Sequence, residues 1–552
     1  VTIVGELDRA RHLALAADEE AARDLLVGLM PRIEQADRDD YALEAFAQLG
    51  ELYLVRTAYD GVVESIRRID DCLAIYAAIR AGDMPEAETQ VTMSEAEVDR
   101  MICRHGRRAE FLRTGLAAAR GDHDAAAAHA ATLAGIGGDF PDLAGEHRRL
   151  ICHARILIAV GLCDDDLYAR SEPLWDAVIE SLVVGDDGSA ENDHLFVDAA
   201  LGYGRFCVES GRLDEAQPWL RRAGARADAR GWALSRARTQ LERAAASWSA
   251  GDIAGTQQLV TEAYPVIADH ARAHDVSRSW LYFGLIRLAV GALQEADQCW
   301  EHAERHWREL GKPLHIHRIL LQRSWIAIFG GAFQEAAQLV AQARELLDSS
   351  PRHSWLQYAR LDAHLGSIWR AEALAEMGSS CAPGSPEYRR GMAKLERAAD
   401  LKVPAALAVD SVRYTIADAG ARMRWARSVS APMLAAAFAV AWEWDNTELI
   451  CELIEYHSAR GTFTAEPAAR PADDWAGTAT AAVPVEAELA PQLAVAAAAP
   501  PAGGGGLTRL GPLPPLRMDP HTAPIMSRYR ELALQRYGRA VTSAEPEWAT
   551  WP

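Results

Sequence analysis

Four glycines, Gly211, Gly251, Gly291 and Gly331, stand 40 residues apart, and the residue types around them recur at fixed offsets. Seven positions before each glycine the residue is small: Gly204, Ala244, Gly284 and Ser324. Ten before it stands a leucine each time: Leu201, Leu241, Leu281 and Leu321. Nine after come Leu220, Val260, Trp300 and Val340, and twelve after come Ala223, Ala263, Ala303 and Ala343. β-Branched alternation is missing, and apolar residues recur at three and four positions up to about residue 460, so the period predicts two helices joined through a glycine turn. Such a hairpin keeps apolar faces that only the next hairpin can cover, so the units must stack.

Gly121 fits the register, with Phe111 ten before it, and Gly161 fits more loosely, with Ile151 and Ala154 before it. The step from Gly161 to Gly211 is 50, which predicts an insertion of about ten residues in the polar stretch Gly185–Asp193. Ser354–Met377 with Glu387–Leu401 reads as a further hairpin, Ala405–Arg460 as less regular helices, and the total as about nine hairpins. Phe46–Tyr53 reads as the first helix of an early unit. This pattern of small residue, leucine, turn glycine and alanine resembles the tetratricopeptide repeat, in a form longer than its basic unit of roughly 34 residues. The resemblance is clearest over 197–347 and implies an all-α fold, an α-solenoid of antiparallel hairpins with a period of about 40.

After Gly461 the composition shifts to alanine, proline and glycine, which cannot bury enough surface to fold alone. The expected organisation is therefore a solenoid over 1–463, a flexible linker over 464–506 and a docking tail over 507–552, with a short helix at Ala523–Tyr537. The segments from Arg424-Trp-Ala to Gly461, Leu513–Met518 and Arg536-Tyr-Gly538 are similar to the helical arm of actinobacterial proteins that carry a caspase-like peptidase domain of the CHAT type. That resemblance implies a sensor or adaptor arm. The peptidase chemistry needs a histidine and a cysteine on an α/β fold, which this sequence does not contain, so it transfers no catalytic residue.

With 57 basic and 78 acidic residues in 552, the net charge of −21 opposes nucleic acid and anionic membrane surfaces. The bases are nearly all arginine. The only Gly-Lys pair, Gly311-Lys312, precedes Pro313, which excludes a phosphate-binding loop ending Gly-Lys-Ser/Thr. Eight scattered cysteines without a Cys-x-x-Cys pair read as buried free thiols in a reducing compartment. Charged Glu6, Asp8 and Arg9 oppose a signal peptide, and the longest apolar run, Met433–Trp442, is too short for a membrane span, so a cytoplasmic location is expected.

Thirteen residues before the register glycines stand Arg108, Arg148, Asp198, Arg238, Arg278 and Arg318. In tetratricopeptide-like arrays this position commonly faces the concave groove, where aligned guanidiniums would hold carboxylates of an acidic peptide. The alternative is that each arginine pairs with an acid of the adjacent hairpin and staples the array, and Asp198 interrupts the ladder. Leu241, Leu281, Leu321 and Trp325 are the expected apolar neighbours in the groove.

His302 and His306, four apart, with His315 and His317 after the next turn, form a weak metal candidate set, read rather as surface or stacked histidines. Asp39-Asp40, Asp70-Asp71 and Asp164–Asp166 lack the second acidic cluster that a metal-dependent lyase requires and read as caps and turns. No Gly-x-Ser-x-Gly elbow is present. Pro512-x-x-Pro515-x-Arg517 reads as a stiff spacer, and Trp425, Trp442 and Trp444 as core or capping residues.

The expected function is a non-catalytic scaffold or adaptor that grips a protein segment or acidic peptide in its groove, with the chain's own tail as a second candidate occupant. No cofactor is expected, and oligomers are compatible with an exposed end hairpin. The alternatives are a regulatory subunit of a separately encoded CHAT-type peptidase or, from a different class, an all-helical lyase.

Overall fold

The structure is a computed structural model, and it describes residues 2–84, 86, 91–138, 140–165, 167–184, 188–350, 353–378, 381–412, 425–459, 525–539 and 541. The expected linker 464–506 and the proline motif at 512–517 lie outside these residues. Among the described residues there are 21 α-helices and no strand. The chain divides into two compact units, residues 1–208 with 212–276, and 209–211 with 277–552.

The first unit begins with α1 (Ile3–Leu15), α2 (Glu19–Ala36), α3 (Asp39–Val55) and α4 (Tyr59–Arg80). It continues with α5 (Glu95–Arg120), α6 (His123–Gly135), α7 (Ala144–Asp164), α8 (Tyr168–Val184), α9 (Ala190–Glu209), α10 (Leu213–Arg230), α11 (Ala233–Ser249) and α12 (Ile253–Asp269). Helix α13 (Ala273–Ala289) crosses the boundary. The second unit holds α14 (Leu293–Glu309), α15 (Pro313–Phe329), α16 (Phe333–Ser349), α17 (Trp355–Met377), α18 (Pro386–Ser411), α19 (Ala431–Glu443), α20 (Thr447–Ala459) and α21 (Ser527–Tyr537). Up to α20 these read as ten successive helix pairs. Successive helices pack on one another from α1 to α8, from α10 to α12 and from α14 to α20, and first helices also pack on first helices, as α1 does on α3, α3 on α5, α5 on α7 and α15 on α17. This is the α-solenoid that the period predicts.

Each of the four glycines lies in the left-handed region, with φ of 74°, 80°, 77° and 73°. After three of them the next amide donates to the carbonyl five residues back: Asp252 to Ser247, Ala292 to Arg287 and Ala332 to Ala327, at 2.8 to 2.9 Å. The same six-to-one bond closes the Gly211 turn, from Arg212 to Cys207. The helix end is thereby satisfied, and a side chain at the glycine would be strained. Gly161 departs from the register. It lies within α7, and a Cβ there would stand 2.9 Å from the Ala118 carbonyl oxygen on α5, so it serves close helix approach; the turn follows at Asp165. The expected insertion Gly185–Asp193 ends earlier than assigned, since the chain is already helical from Ala190.

The small and large columns meet inside each hairpin. Leu220 fills the notch left by Gly204, where a Cβ would lie 2.5 Å from the leucine side chain, and the Trp300 indole occupies the notch at Gly284. Trp300 is fully buried and its Nε1 donates to the Leu281 carbonyl at 3.1 Å. Val260, Ala223, Ala263, Ala303 and Ala343 are fully buried, and Val340 nearly so. Expansion at the notch should therefore outweigh the roughly 1 kcal/mol that alanine gains over glycine in a helix. Gly284→Ala is expected to lower stability by about 1–3 kcal/mol through overpacking against Trp300, read as a shift of the urea midpoint. An unchanged or raised midpoint would refute this packing.

Candidate functional site

Within the first unit the first helices of successive pairs carry a strip of polar side chains that begins at Glu44 on α3. Glu44 is buried, and Arg108 on α5 donates to both its oxygens at 2.7 and 2.8 Å. Arg11 on α1 and Arg104 on α5 also pair with it, at 2.5 and 3.1 Å. Burial alone would raise the Glu44 pKa, but the guanidiniums of Arg108, Arg104 and Arg11 hold it well below the usual carboxylate range. The Arg108 side chain is 4% exposed and its other nitrogen donates to Glu51 at 2.6 Å. It thus acts as an ionic staple between α3 and α5, the alternative that the sequence left open.

The strip continues through His153 on α7, His194 and Asp198 on α9 and Arg238 on α11. Asp198 lies 3.2 Å from His194 Nδ1 and 3.9 Å from His153 Nε2. The rings of His194 and Trp232 meet edge to face. Arg238 pairs with Asp275 at 2.9 Å, and its side chain keeps 41% of its surface. Burial would raise the Asp198 pKa, but His194, His153 and Arg238 take it down to about 2. Burial opposes protonation of His194, yet Asp198 outweighs it and raises that pKa; in His153 burial dominates and lowers it.

Glu51, on the second pair, opposes the fall of His153 and adds weakly to the rise of His194. The first pair curves back onto later ones. Leu15 packs on Val197, Ala227 and Trp232, and Arg272 pairs with Glu19 and donates to the Val55 carbonyl. Between α1, α3 and α5 opens a cleft of about 200 Å³ lined by Arg11, Arg38, Tyr41, Arg100, Arg104 and His105.

The remaining groove positions divide. Arg148 on α7 is exposed, Arg318 is half-buried and Arg278 is buried. Leu241 is fully buried and Leu321 is 4% exposed. These two leucines hold their hairpins together and offer no surface to a partner. Leu281 and Trp325 stay half-buried, with Trp325 stacked on Phe329 and edge-on to His364.

The four histidines of the weak metal set go to separate surroundings. His302 stacks on Trp280 and His315 on Trp307, His306 lies 3.3 Å from Glu309, and His317 Nδ1 lies 3.0 Å from the Ala343 carbonyl. Asp164 pairs with Arg205 and Asp165 with His123. Trp425 is buried as expected, whereas Trp442 is 76% exposed on α19. All eight cysteines are free, and burial pushes Cys72 and Cys207 up to about 12. No helix among the described residues is long and apolar enough to cross a membrane.

In the second unit the sequence's short tail helix is α21. Its anchors Tyr529, Ala533 and Tyr537, spaced by four, are buried in the cluster formed by α17 to α20. The Tyr537 hydroxyl donates to Asp362 at 2.8 Å, Arg528 donates to Asp400 at 2.8 Å, and the Met526 amide donates to Glu452 at 3.1 Å. No periodic signal could have located this contact, because its partners lie 74 to 175 residues away.

No protein-family model matches the chain, and no curated protein matches it in sequence. Among solved structures it is similar to one described as the crystal structure of the apo form of RapI, at 10% identity. The match covers 68% of this chain and 98% of that one, with a TM-score of 0.35.

The Asp198 cluster sets a pH dependence with two limbs. A depressed carboxylate contributes stability above its unfolded value of about 3.9, lost as pH falls toward its folded value; a raised histidine contributes below about 6.5, lost as pH rises past its folded value. The stability difference between wild type and Asp198→Asn is therefore expected to be largest between about pH 4 and 6 and to shrink on both sides. Urea midpoints across pH 2.5–8 check this, and a difference independent of pH would remove the cluster's electrostatic role.

Proposed function

We propose that the chain is a non-catalytic interaction scaffold that holds a peptide or partner helix along the lining formed by the first helices of its hairpins. The observation that carries this reading is the state of the strip from Glu51 to Arg238. Its side chains keep a quarter to two fifths of their surface, while the pKa values of His153, His194 and Asp198 within it are shifted by burial and by their charged neighbours. Groups that touch water yet feel a low dielectric stand on a curved wall rather than in a closed core. Fixed, mixed charges on such a wall favour a segment that places acid against Arg238 and base against Glu51 and Asp198.

The mixed signs narrow the expectation of a purely acidic peptide. Arg148 in the first unit, and Arg318, Leu281 and Trp325 in the second, keep surface for the same use in their own units. Free thiols and the lack of a membrane-crossing helix among the described residues fit a cytoplasmic setting. The sequence resemblance to CHAT-associated arms adds one partner class, a separately encoded peptidase.

A random peptide library selected on the immobilised full-length chain is expected to yield binders. Their affinity should fall at least tenfold on Arg238→Gln with Glu51→Gln, the circular dichroism being unchanged. Binders that ignore this double variant would overturn the lining as the binding surface.

A further inference from the structure

The surface beneath α21 belongs to the second unit and is independent of the inner lining. It is apolar at its floor, where Met526, Tyr529, Ala533, Tyr537 and Val541 sit among residues of α17 to α20. Its edge is acidic, where Asp400 and Glu452 receive the Arg528 guanidinium and the Met526 amide, and the buried Asp362, also paired with Arg344, receives the Tyr537 hydroxyl. Arg536 donates to the Asp400 backbone carbonyl, so two arginines eight residues apart straddle one aspartate. The outer face of the helix, marked by Leu534, is exposed. This is helix-in-groove recognition: apolar anchors at i, i+4 and i+8 and charged flanks.

Two features separate this arrangement from an ordinary terminal hairpin. Helix α21 has 11 residues, too few to hold a helix without its groove, so it orders as it docks. It also reaches the groove from far along the chain, since residues 460–524 intervene and their composition is alanine, proline and glycine rich. A ligand attached in this way competes at an effective concentration on the order of millimolar, which an untethered helix of equal quality must overcome.

We propose that the surface of α17, α18 and α20 under residues 525–541 is a recognition site for a partner's amphipathic helix. That helix would bear two tyrosine-like anchors two turns apart, flanked by arginines. The chain's own segment is its resident competitor.

The probe is a fluorescein-labelled peptide of residues 523–541, titrated into the full-length chain and followed by anisotropy. Wild type, with its groove filled, should bind weakly. The double variant Tyr529→Asp, Tyr537→Asp, which introduces buried charge into the resident segment alone, should bind at least tenfold tighter. Adding Asp400→Arg and Asp362→Ala to that variant should abolish the gain, with circular dichroism confirming the fold. Equal affinity for wild type and the tail variant, or no binding by a folded tail variant, overturns the proposal and leaves α21 as a permanent cap.

Should the tail variant fail to fold, wild type supplies the second measurement. Its association rate should saturate with peptide concentration at the rate of resident release, and a rate that stays linear overturns exchange. Light scattering supplies the last check. A doubled mass that collapses to one chain in the tail variant would put a second copy in the groove and overturn residency within the chain.

Discussion

The structure depends on a steric fit repeated every 40 residues: a large side chain of the second helix enters a notch that the first helix leaves by having almost no side chain there. Gly204 with Leu220 and Gly284 with Trp300 show it most plainly. The notch lets the backbones approach, and the large residue then makes the dense contacts that hold the pair. Everything else is arranged around that fit. The left-handed glycine sets the direction of return, and the buried alanines keep the second helix slim along its packed face.

A repeat copies charges as faithfully as it copies notches, and this creates a difficulty that the chain resolves with acid. A column of guanidiniums along one wall would repel itself. Arg108 is answered by Glu44 and Glu51, Arg238 by Asp275, and at the middle of the column the arginine is replaced by Asp198 with two histidines. Buried pairs of this kind add little net stability, since desolvation offsets attraction, but leaving one member alone is costly. Their effect is to fix which hairpin faces which.

The fold class was legible because its cause is periodic. Four glycines and their columns were enough to predict the hairpins, while Gly161 was misplaced because a glycine used for close approach looks the same in sequence as one used for a turn. The site was less legible. A period fixes a position along a helix but leaves its rotation open, which is why Leu241 and Leu321, expected on the wall, lie in the core. The acids that answer Arg108 sit 57 and 64 residues earlier, outside the 40-residue register. The seat of α21 follows no period at all.

The return of the first hairpin onto later ones, through Leu15 against the cluster of Val197, Ala227 and Trp232 and through Glu19 with Arg272, changes how the first unit must come apart. A linear array frays, because an end unit has only one neighbour to hold it. Here the opening hairpin is gripped from two directions, so losing it also strips cover from the fifth pair. Melting of this unit is thereby coupled from its beginning to its middle, and it unfolds as a block where an open spiral would peel unit by unit.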